Sequence, residues 1–523
     1  MPEVTEMLSL LAEQAEWRVF VDGTKNLGHQ ASTVMLLRRL IEATRFCGRV
    51  VVVYADHERA LLGCTAEKLG LMFAGVDPRR LDDEVASHET CHEIRFLSLR
   101  RAGELHEPVA FGFTGGADDL TFNGAAALNV RFFLRLQPYL WDDLPSARRD
   151  PYYECSRIEQ PDGRHFYPVE EWPELRSLAI RPPPSLGRGA GSASWEWYTR
   201  RQDFDPDLAC RMRNARAIID AARAGRGLLW PVYGLQHFHA AAPRIALSCV
   251  LVALRIAHQR RKSVLLCSFS PTRELAEWAD LAEALSRDLA LRQRTLPALG
   301  TALARRRARE IDGGDLHPHG PEHSLRALGQ WLDDRCPGIG VAVHRASEGL
   351  GDWHDLTTSI AAALAHGGDP VVHLVELGPL AMDAFHDVIA NADLPCVVEG
   401  QATANLLTTL GRPFLQLLRR EHEGLHGRAA PMAFARGAAE RMAAGARALR
   451  DLEPLCAGDS PSAYKPTAYG ARLDCVAQLV DDAGDPSSTI GRHFGALAEY
   501  FARPPNDKLA IMLLALREMM LAA

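Results

Sequence analysis

Paired cysteines are missing from this sequence, which argues against a protein held together by disulfides. Its 11 cysteines are an odd number and include no Cys-x-x-Cys pair. Several lie within apolar runs, namely Cys249, Cys267 and Cys396. This pattern is typical of buried free thiols in a reducing compartment.

Long hydrophobic runs and an excess of positive charge are also missing. No run of about 18 apolar residues suggests a membrane span, and the segment MPEVTEMLSLLAEQAEW lacks the basic and apolar regions of a signal peptide. The formal net charge is −7 at pH 7, so no general basic field favours nucleic acid or an anionic membrane. We therefore expect a cytoplasmic protein with no membrane span and no nucleic-acid partner.

Apolar runs alternate with helical segments along the chain, which at 523 residues is too long for one core. The first series of predicted strands comprises WRVFVDG (17–23), GRVVVVYAD (48–56), PVAFGFTGG (108–116) and FFLRLQPYL (132–140). The second series comprises GLLWPVYGL (227–235), KSVLLCSFS (262–270), GIGVAVHR (338–345), DPVVHLVEL (369–377), PCVVEG (395–400) and PFLQLL (413–418). Strands that alternate with helices, such as one from about 58 to 73, predict an α/β fold with two Rossmann-like, doubly wound parallel sheets.

Composition predicts how the chain divides into domains. Residues 145–200 read as an irregular insert, because PPPSLGRGAGSAS (182–194) has little capacity for a core. The last hundred residues look helical. We therefore predict domains at 1–225 and 226–430, followed by a helical extension at 431–523.

One abrupt turn stands out, in VVEGQATANLLTTLGRPFLQLL (397–418). A strand breaks at Glu399-Gly400, a helix runs through Thr403, and a second strand begins after Gly411. Ligands of parallel sheets bind outside the carboxyl ends of the strands, where a helix start offers unpaired N–H groups that suit phosphate. Glycine allows close approach, Thr403 offers a hydroxyl, and Glu399 could accept ribose hydroxyls. The alternative is an ordinary βα turn in which Gly400 only permits a tight bend.

The surrounding sequence resembles a known family. LGPLAMDAFHDVIANADLPCVVEGQATANLLTTLGRPFLQL (377–417) resembles the C-terminal domain of GT-B glycosyltransferases, in particular the protein-arginine rhamnosyltransferases of elongation factor P. The lipid-linked N-acetylglucosaminyltransferases of peptidoglycan synthesis are similar in pattern. NLGHQASTVMLLRRL (26–40) resembles the first βα loop of the same enzymes, with Asn26, Gly28 and His29 on motif positions. The rhamnosyltransferases carry an acid where this chain has His29, whereas the peptidoglycan enzymes carry a histidine.

The resemblance implies two GT-B domains that face a cleft and transfer a sugar from a nucleotide sugar, with no cofactor and no obligatory metal. Residues 1–225 would take the acceptor, which is an unknown protein side chain, lipid or small molecule, and residues 226–430 would bind the donor. The proton acceptor would be His29 or Asp22. Donor-binding candidates are Glu399, Gly400, Gln401, Thr403, Tyr233, Ser270 and Arg273. Candidates on the acceptor side are Asn26, Gly28 and Asp118.

Other interpretations stay open. The same fold could serve a nucleotide-sugar epimerase, a polysaccharide pyruvyltransferase or a non-catalytic binding scaffold. HETCH (88–92) matches the His-Glu-x-x-His motif of zinc proteases, but no third-ligand helix follows, so we expect a cluster on a helix surface or a loop. HPHGPEH (317–323) reads as a surface loop rather than a metal site. Arg273 could be a solvated charge, and Asp118 part of a simple acidic turn.

Overall fold

The structure, a computed structural model, describes most of the chain. The described residues are 1–23, 27–56, 64–116, 122–136, 156–186, 193–200, 205–235, 242–269, 331–344, 355–365, 369–417, 433–451 and 466–522.

Two sheets organise the described residues. The strands of the first sheet are β1 (Glu16–Val21), β2 (Arg49–Tyr54), β3 (Val85–His88), β4 (Cys91–Ser98), β5 (Val109–Thr114), β6 (Val130–Arg135), β7 (Arg157–Glu159) and β8 (His165–Phe166), in the order β3-β4-β2-β1-β5-β6-β7-β8. Its five central strands are parallel, whereas β3, β7 and β8 pair antiparallel at the edges. Every residue of β1 is buried, as expected for a strand covered on both faces.

The second sheet is parallel throughout its described strands. These strands are β9 (Leu228–Val232), β10 (Val264–Ser268), β11 (Gly340–His344), β12 (Val371–Glu376), β13 (Cys396–Val398) and β14 (Phe414–Gln416). They lie in the order β11-β12-β10-β9-β13-β14. Cys267 and Cys396 are buried in these strands as free thiols, as predicted.

Helices cover the two sheets and form the C-terminal part. The described helices are α1 (Pro2–Ala12), α2 (Gly28–Thr44), α3 (Thr65–Gly70), α4 (Gly124–Ala127), α5 (Ala193–Arg200), α6 (Pro206–Arg223), α7 (Ala242–Arg260), α8 (Thr357–Ala365), α9 (Met382–Ala390), α10 (Gln401–Leu410), α11 (Ala433–Asp451), α12 (Pro466–Gly484), α13 (Thr489–Ala502) and α14 (Lys508–Ala522). None of the described helices combines the length and the apolar character that a membrane crossing requires.

The C-terminal helices pack against both halves of the molecule. Helices α11 and α12 pack on α7, α13 packs on α10, and α14 returns to α1 beside the first sheet. One contiguous cluster of buried apolar side chains runs from Trp17 in the first sheet through Trp230 in the second to Phe494 on α13. The two sheets are therefore joined by a shared core, which the C-terminal helices complete.

The predicted α/β class with mostly parallel sheets is confirmed, and each run that predicted a strand overlaps one. Three details differ from the sequence-based expectation. The helix predicted at about 58–73 is described as Thr65–Gly70, because residues 57–63 lie outside the described part and residues 71–73 are no longer helical. Within the predicted irregular insert, β7 and β8 extend the first sheet. HETCH lies across the β3–β4 hairpin rather than on a helix or loop.

Candidate functional site

The first sheet has a switch point between β1 and β5. Strand β1 leads through α2 to β2 on one side, whereas β5 leads to β6 on the other. The start of α2 is fixed against both strand ends. The Gln30 side-chain amide donates to the Asp22 carbonyl at 2.7 Å, and the Gly115 N–H donates to the Thr33 hydroxyl at 3.0 Å. Such switch points form the crevices in which open α/β sheets bind ligands.

The two predicted proton acceptors lie at this switch point. Asp22 directly follows β1 and is half-buried. His29 is the second residue of α2, and its ring faces the turn after β5. A Cβ placed on Gly116 would lie 3.1 Å from the His29 Nδ1 atom. The structure therefore places Asp22 and His29 at the same edge of the first sheet.

The second sheet has its own switch point, between β9 and β13. From β9 the chain crosses to β10, whereas from β13 it crosses to β14 on the opposite side. The Tyr233 N–H donates to the Val397 carbonyl at 2.8 Å. Gly234 has φ +88°, and a Cβ there would lie 2.7 Å from the Glu399 Cβ, so only glycine allows this close approach. The two turns predicted to bind a donor, at Tyr233 and Glu399, are thus direct neighbours.

Glu399 affects the chemistry of Tyr233. Burial, with the nearby Glu399 charge, raises the pKa of Tyr233 to about 12. The phenol therefore keeps its proton at neutral pH and can donate a hydrogen bond.

Helix α10 begins directly after Glu399-Gly400. Gly400 has the ordinary extended angles φ −76° and ψ 139°, and no side chain caps the helix start. A Cβ on Gly400 would find its nearest neighbours, Thr403 Oγ1 and Tyr233 Cε1, at 3.9 Å. Neither the backbone angles nor the atoms of the described residues therefore require glycine here.

The two switch points open on one crevice. From the first half, α2 lines it with Gly28, Ala31, Ser32 and Met35, and from the second half α10 lines it with Ala402, Thr403 and Leu406. Its empty space is about 810 Å³, including open solvent at the mouth. The described lining contains no lysine or arginine. Backbone N–H groups at the helix starts are therefore the electropositive groups that this part of the crevice offers.

An aromatic wall closes one side of the crevice. Tyr233 and Phe269 follow β9 and β10, and both lie against Phe385 of α9. The centroid distance is 5.0 Å from Tyr233 to Phe385 and 4.9 Å from Phe269 to Phe385. The next residue, His386, also lines the crevice. Flat apolar rings beside a few polar groups are typical of small-molecule sites.

Polar contacts clasp the two halves beside the crevice. Arg38 on α2 forms an ion pair with Asp383 on α9 and also donates to the Met72 carbonyl. The Met382 N–H donates to the Leu71 carbonyl at 2.8 Å. These contacts tie α2 and the segment after α3 to α9.

Of the predicted residues that the structure describes, Gly28, Tyr233 and Thr403 line the crevice. Glu399 and Gly400 lie next to the turn at Tyr233, and Gln401 begins α10. Asp22 and His29, the two predicted proton acceptors, are not among the lining residues. Asn26, Asp118, Ser270 and Arg273 lie outside the described residues, as does HPHGPEH.

Sequence reasoning missed Phe269, Phe385 and His386 as site residues. Phe269 directly follows an apolar strand run, and this position at the carboxyl end of a strand could have predicted it as a site residue. Phe385 and His386 lie inside a helix, where an apolar residue reads as core.

The HETCH motif has a different arrangement from a zinc protease. His88 ends β3 and His92 belongs to β4, so the two residues do not share a helix face. The His88 Nε2 atom lies 3.0 Å from the Glu42 carboxylate, which also accepts from the Ser185 N–H. Burial alone would raise the pKa of Glu42, but hydrogen bonds from His88 and Ser185 lower it. Glu42, His88 and Glu89 have ligand-type atoms within 4.8 Å of one another, but the described contacts explain Glu42 as a structural tie between α2, the hairpin and residue 185.

No protein-family model matches the chain, and no curated protein matches it.

Proposed function

We propose that this protein is a glycosyltransferase of GT-B architecture that takes its sugar from a nucleotide sugar bound in the crevice. One observation carries the proposal. The starts of α2 and α10, which follow inner strands at the switch points of two different sheets, line the same crevice. A two-substrate transfer needs such a place, where a donor held by one half meets an acceptor held by the other and water is excluded.

The second half suits the donor. The start of α10, which no side chain caps, offers N–H groups to a diphosphate. Among the described residues, no atom lies closer than 3.9 Å to where a Cβ on Gly400 would be, which leaves room for phosphate oxygens to approach. The Thr403 hydroxyl lines the same place. The aromatic wall around Phe385 offers a flat apolar surface to the base. Glu399 is the candidate acceptor for ribose hydroxyls.

The reaction breaks one bond and forms another at the anomeric carbon of the sugar. The bond to the diphosphate oxygen breaks, and its electron pair leaves with the diphosphate. The start of α10 would stabilise this growing negative charge. The acceptor heteroatom forms the new bond and loses its proton to a base, for which His29 and Asp22 are the candidates.

A ligand screen tests the proposal. Purified protein is heated with UDP-, GDP-, dTDP- or CMP-sugars, and its unfolding temperature is measured. A ligand at a hundredfold its Kd stabilises by about 2.7 kcal/mol, which for a chain of this length is a rise of about 2–3 °C. No rise with any of the four classes contradicts the proposal.

Product analysis of the binding sugar then separates the possible reactions. A transferase releases the nucleotide when cell extract supplies an acceptor. An epimerase instead converts one nucleotide sugar into another and releases no nucleotide. That result would also overturn the proposal.

Glycine variants show whether the ligand occupies the crevice. Gly400→Ala and Gly28→Ala should leave the unfolding temperature nearly unchanged, because the added methyl meets no atom within 3.9 Å at Gly400 and none within 4 Å at Gly28. Both methyl groups project where phosphate oxygens or the acceptor would approach, so we expect weaker ligand binding. Gly103→Ala is the matched control, since its methyl also meets nothing within 4 Å and Gly103 does not line the crevice.

A further inference from the structure

His386 is a buried histidine in the wall of the crevice. It lies on α9 directly after Phe385 and is 3% exposed. It is one of the residues that line the crevice, together with Gly28 and Thr403. It is therefore one of the few polar side chains that a bound ligand would meet.

The protein leaves His386 incompletely satisfied. Burial, as the main cause, lowers the pKa of His386 to about 4; the Asp383 charge raises this pKa by a smaller amount, and the Arg38 charge lowers it further. The imidazole is therefore neutral at pH 7 and has one donor and one acceptor nitrogen. In the described part of the chain, no hydrogen-bonding group reaches its Nδ1 atom, which is itself buried. A buried polar atom without a partner destabilises a folded protein. Because Nδ1 is buried, the ring nitrogen that a ligand in the crevice would bond is Nε2.

We propose that His386 is a ligand-recognition residue, which hydrogen-bonds an uncharged polar group on the edge of a nucleobase. This inference rests on the proposed function and deepens it by naming a residue that selects the base. A neutral imidazole recognises an N–H or carbonyl group rather than a phosphate. The Phe385 ring lies next to the imidazole, at a centroid distance of 5.9 Å, and Tyr233 packs against Phe385. A polar group that reaches His386 therefore lies beside an apolar aromatic surface, which suits the flat ring of a base.

A matched control exists within the same chain. His493 on α13 is 2% exposed, its Nδ1 atom also lacks a partner among the described residues, and burial lowers its pKa to about 4. It does not line the crevice. The two histidines are thus alike in burial, in the direction of the pKa shift and in the unpartnered Nδ1 atom, but only His386 lines the crevice.

The test compares His386→Leu, His386→Gln and His493→Leu with the wild-type protein. Unfolding temperatures are measured without ligand, and dissociation constants are measured by calorimetry for UDP, dTDP, GDP, CMP and pyrophosphate. We expect both leucine variants to melt at a higher temperature than wild type, because each removes an unmet polar atom. His386→Leu should bind the nucleotide roughly tenfold more weakly, whereas His493→Leu should bind it as wild type does. His386→Gln, which keeps a donor and an acceptor, should retain most of the affinity, and pyrophosphate binding should not change in any variant.

The outcomes separate the inference from the proposed function. If wild type binds a nucleotide and His386→Leu binds it equally well, the inference is wrong and the proposed function stands. If wild type binds none of the nucleotides or nucleotide sugars, both are wrong. If His386→Leu does not fold, wild type is compared for the nucleotide and for ribose 5-diphosphate, which lacks the base. Equal affinity for the two would then overturn the inference.

Discussion

The side-chain amide of Asn405 on α10 bonds to both the N–H and the carbonyl of Ile180, at 3.0 and 2.9 Å. Asn405 is 4% exposed and Ile180 is 8% exposed. The amide thus replaces a β-strand partner and ties the segment after β8 to the helix whose start lines the crevice.

We expect Asn405→Leu to lower the free energy of unfolding by about 2–5 kcal/mol, because it leaves two buried backbone groups without partners. Urea unfolding monitored by circular dichroism measures the change. Thr409→Ala is the control on the same helix, since among the described residues the Thr409 hydroxyl bonds to carbonyls of its own helix. A loss for Asn405→Leu no larger than that of the control would show that the tie contributes little.

Gly116→Ala should destabilise the protein by about 1–3 kcal/mol. Gly116 has φ +145°, which side-chain-bearing residues rarely adopt, and the new methyl would lie 3.1 Å from the His29 ring. Making the same substitution in a His29→Ala background removes the ring and leaves only the backbone cost. Thermal unfolding of the four proteins separates the two contributions, and an equal loss in both backgrounds would mean that the ring yields freely.

The ion pair between Arg38 and Asp383 should be worth more than an exposed pair. Their side chains are 12% and 22% exposed, and the pair joins the two halves. We expect a double-mutant cycle with Arg38→Met and Asp383→Asn to give a coupling energy of about 1–3 kcal/mol. The more exposed pair of Arg441 and Asp482 should give less than about 1 kcal/mol. Equal coupling energies would refute a special role for the clasp.

Stability should fall as the solution is acidified. Burial, as the main cause, lowers the pKa of His373, His386 and His493 from 6.5 to about 4. The unfolded chain therefore binds more protons than the folded one between these values, and the free energy of unfolding falls as pH drops from 6.5 towards 4. Each histidine should cost about 2 kcal/mol by pH 5.

Urea unfolding of wild type and of His493→Leu, at about pH 7.5 and about pH 5, isolates one of these contributions. Burial raises the pKa of Asp387 and Asp393. These two carboxyls therefore raise the free energy of unfolding on acidification, whereas the histidines lower it. The effect of the two carboxyls cancels in the difference between the two proteins. An acid-induced loss that is the same in both would show that His493 does not contribute.

The central strands of the two sheets could be predicted because most of them are buried apolar runs with turn residues at their ends. β1 and β2 carry this signal over six residues each. β7 and β8 have three and two residues, which is too short for any periodicity, so the segment read as irregular. The β3–β4 hairpin was missed because a histidine pair four residues apart suits a helix equally well.

Chain topology could locate the candidate site from the sequence, but it could not identify all of the site residues. Tyr233 and Thr403 follow strands whose carboxyl ends share an edge, which the chain order predicts. His386 sits within a helix, and what distinguishes it from the equally buried His493 is that it lines the crevice. That property depends on the neighbours that three-dimensional structure supplies, and no sequence pattern carries it.

Gly28 and Thr403 face each other across one crevice although most of the chain lies between them. During synthesis the first sheet can leave the ribosome and fold long before residue 403 has been added. In that interval Met35 and Leu71, which later line the crevice, have no second half opposite them. We therefore expect the nascent first half to be the form that chaperones hold, and the crevice to be among the last parts of the molecule to mature.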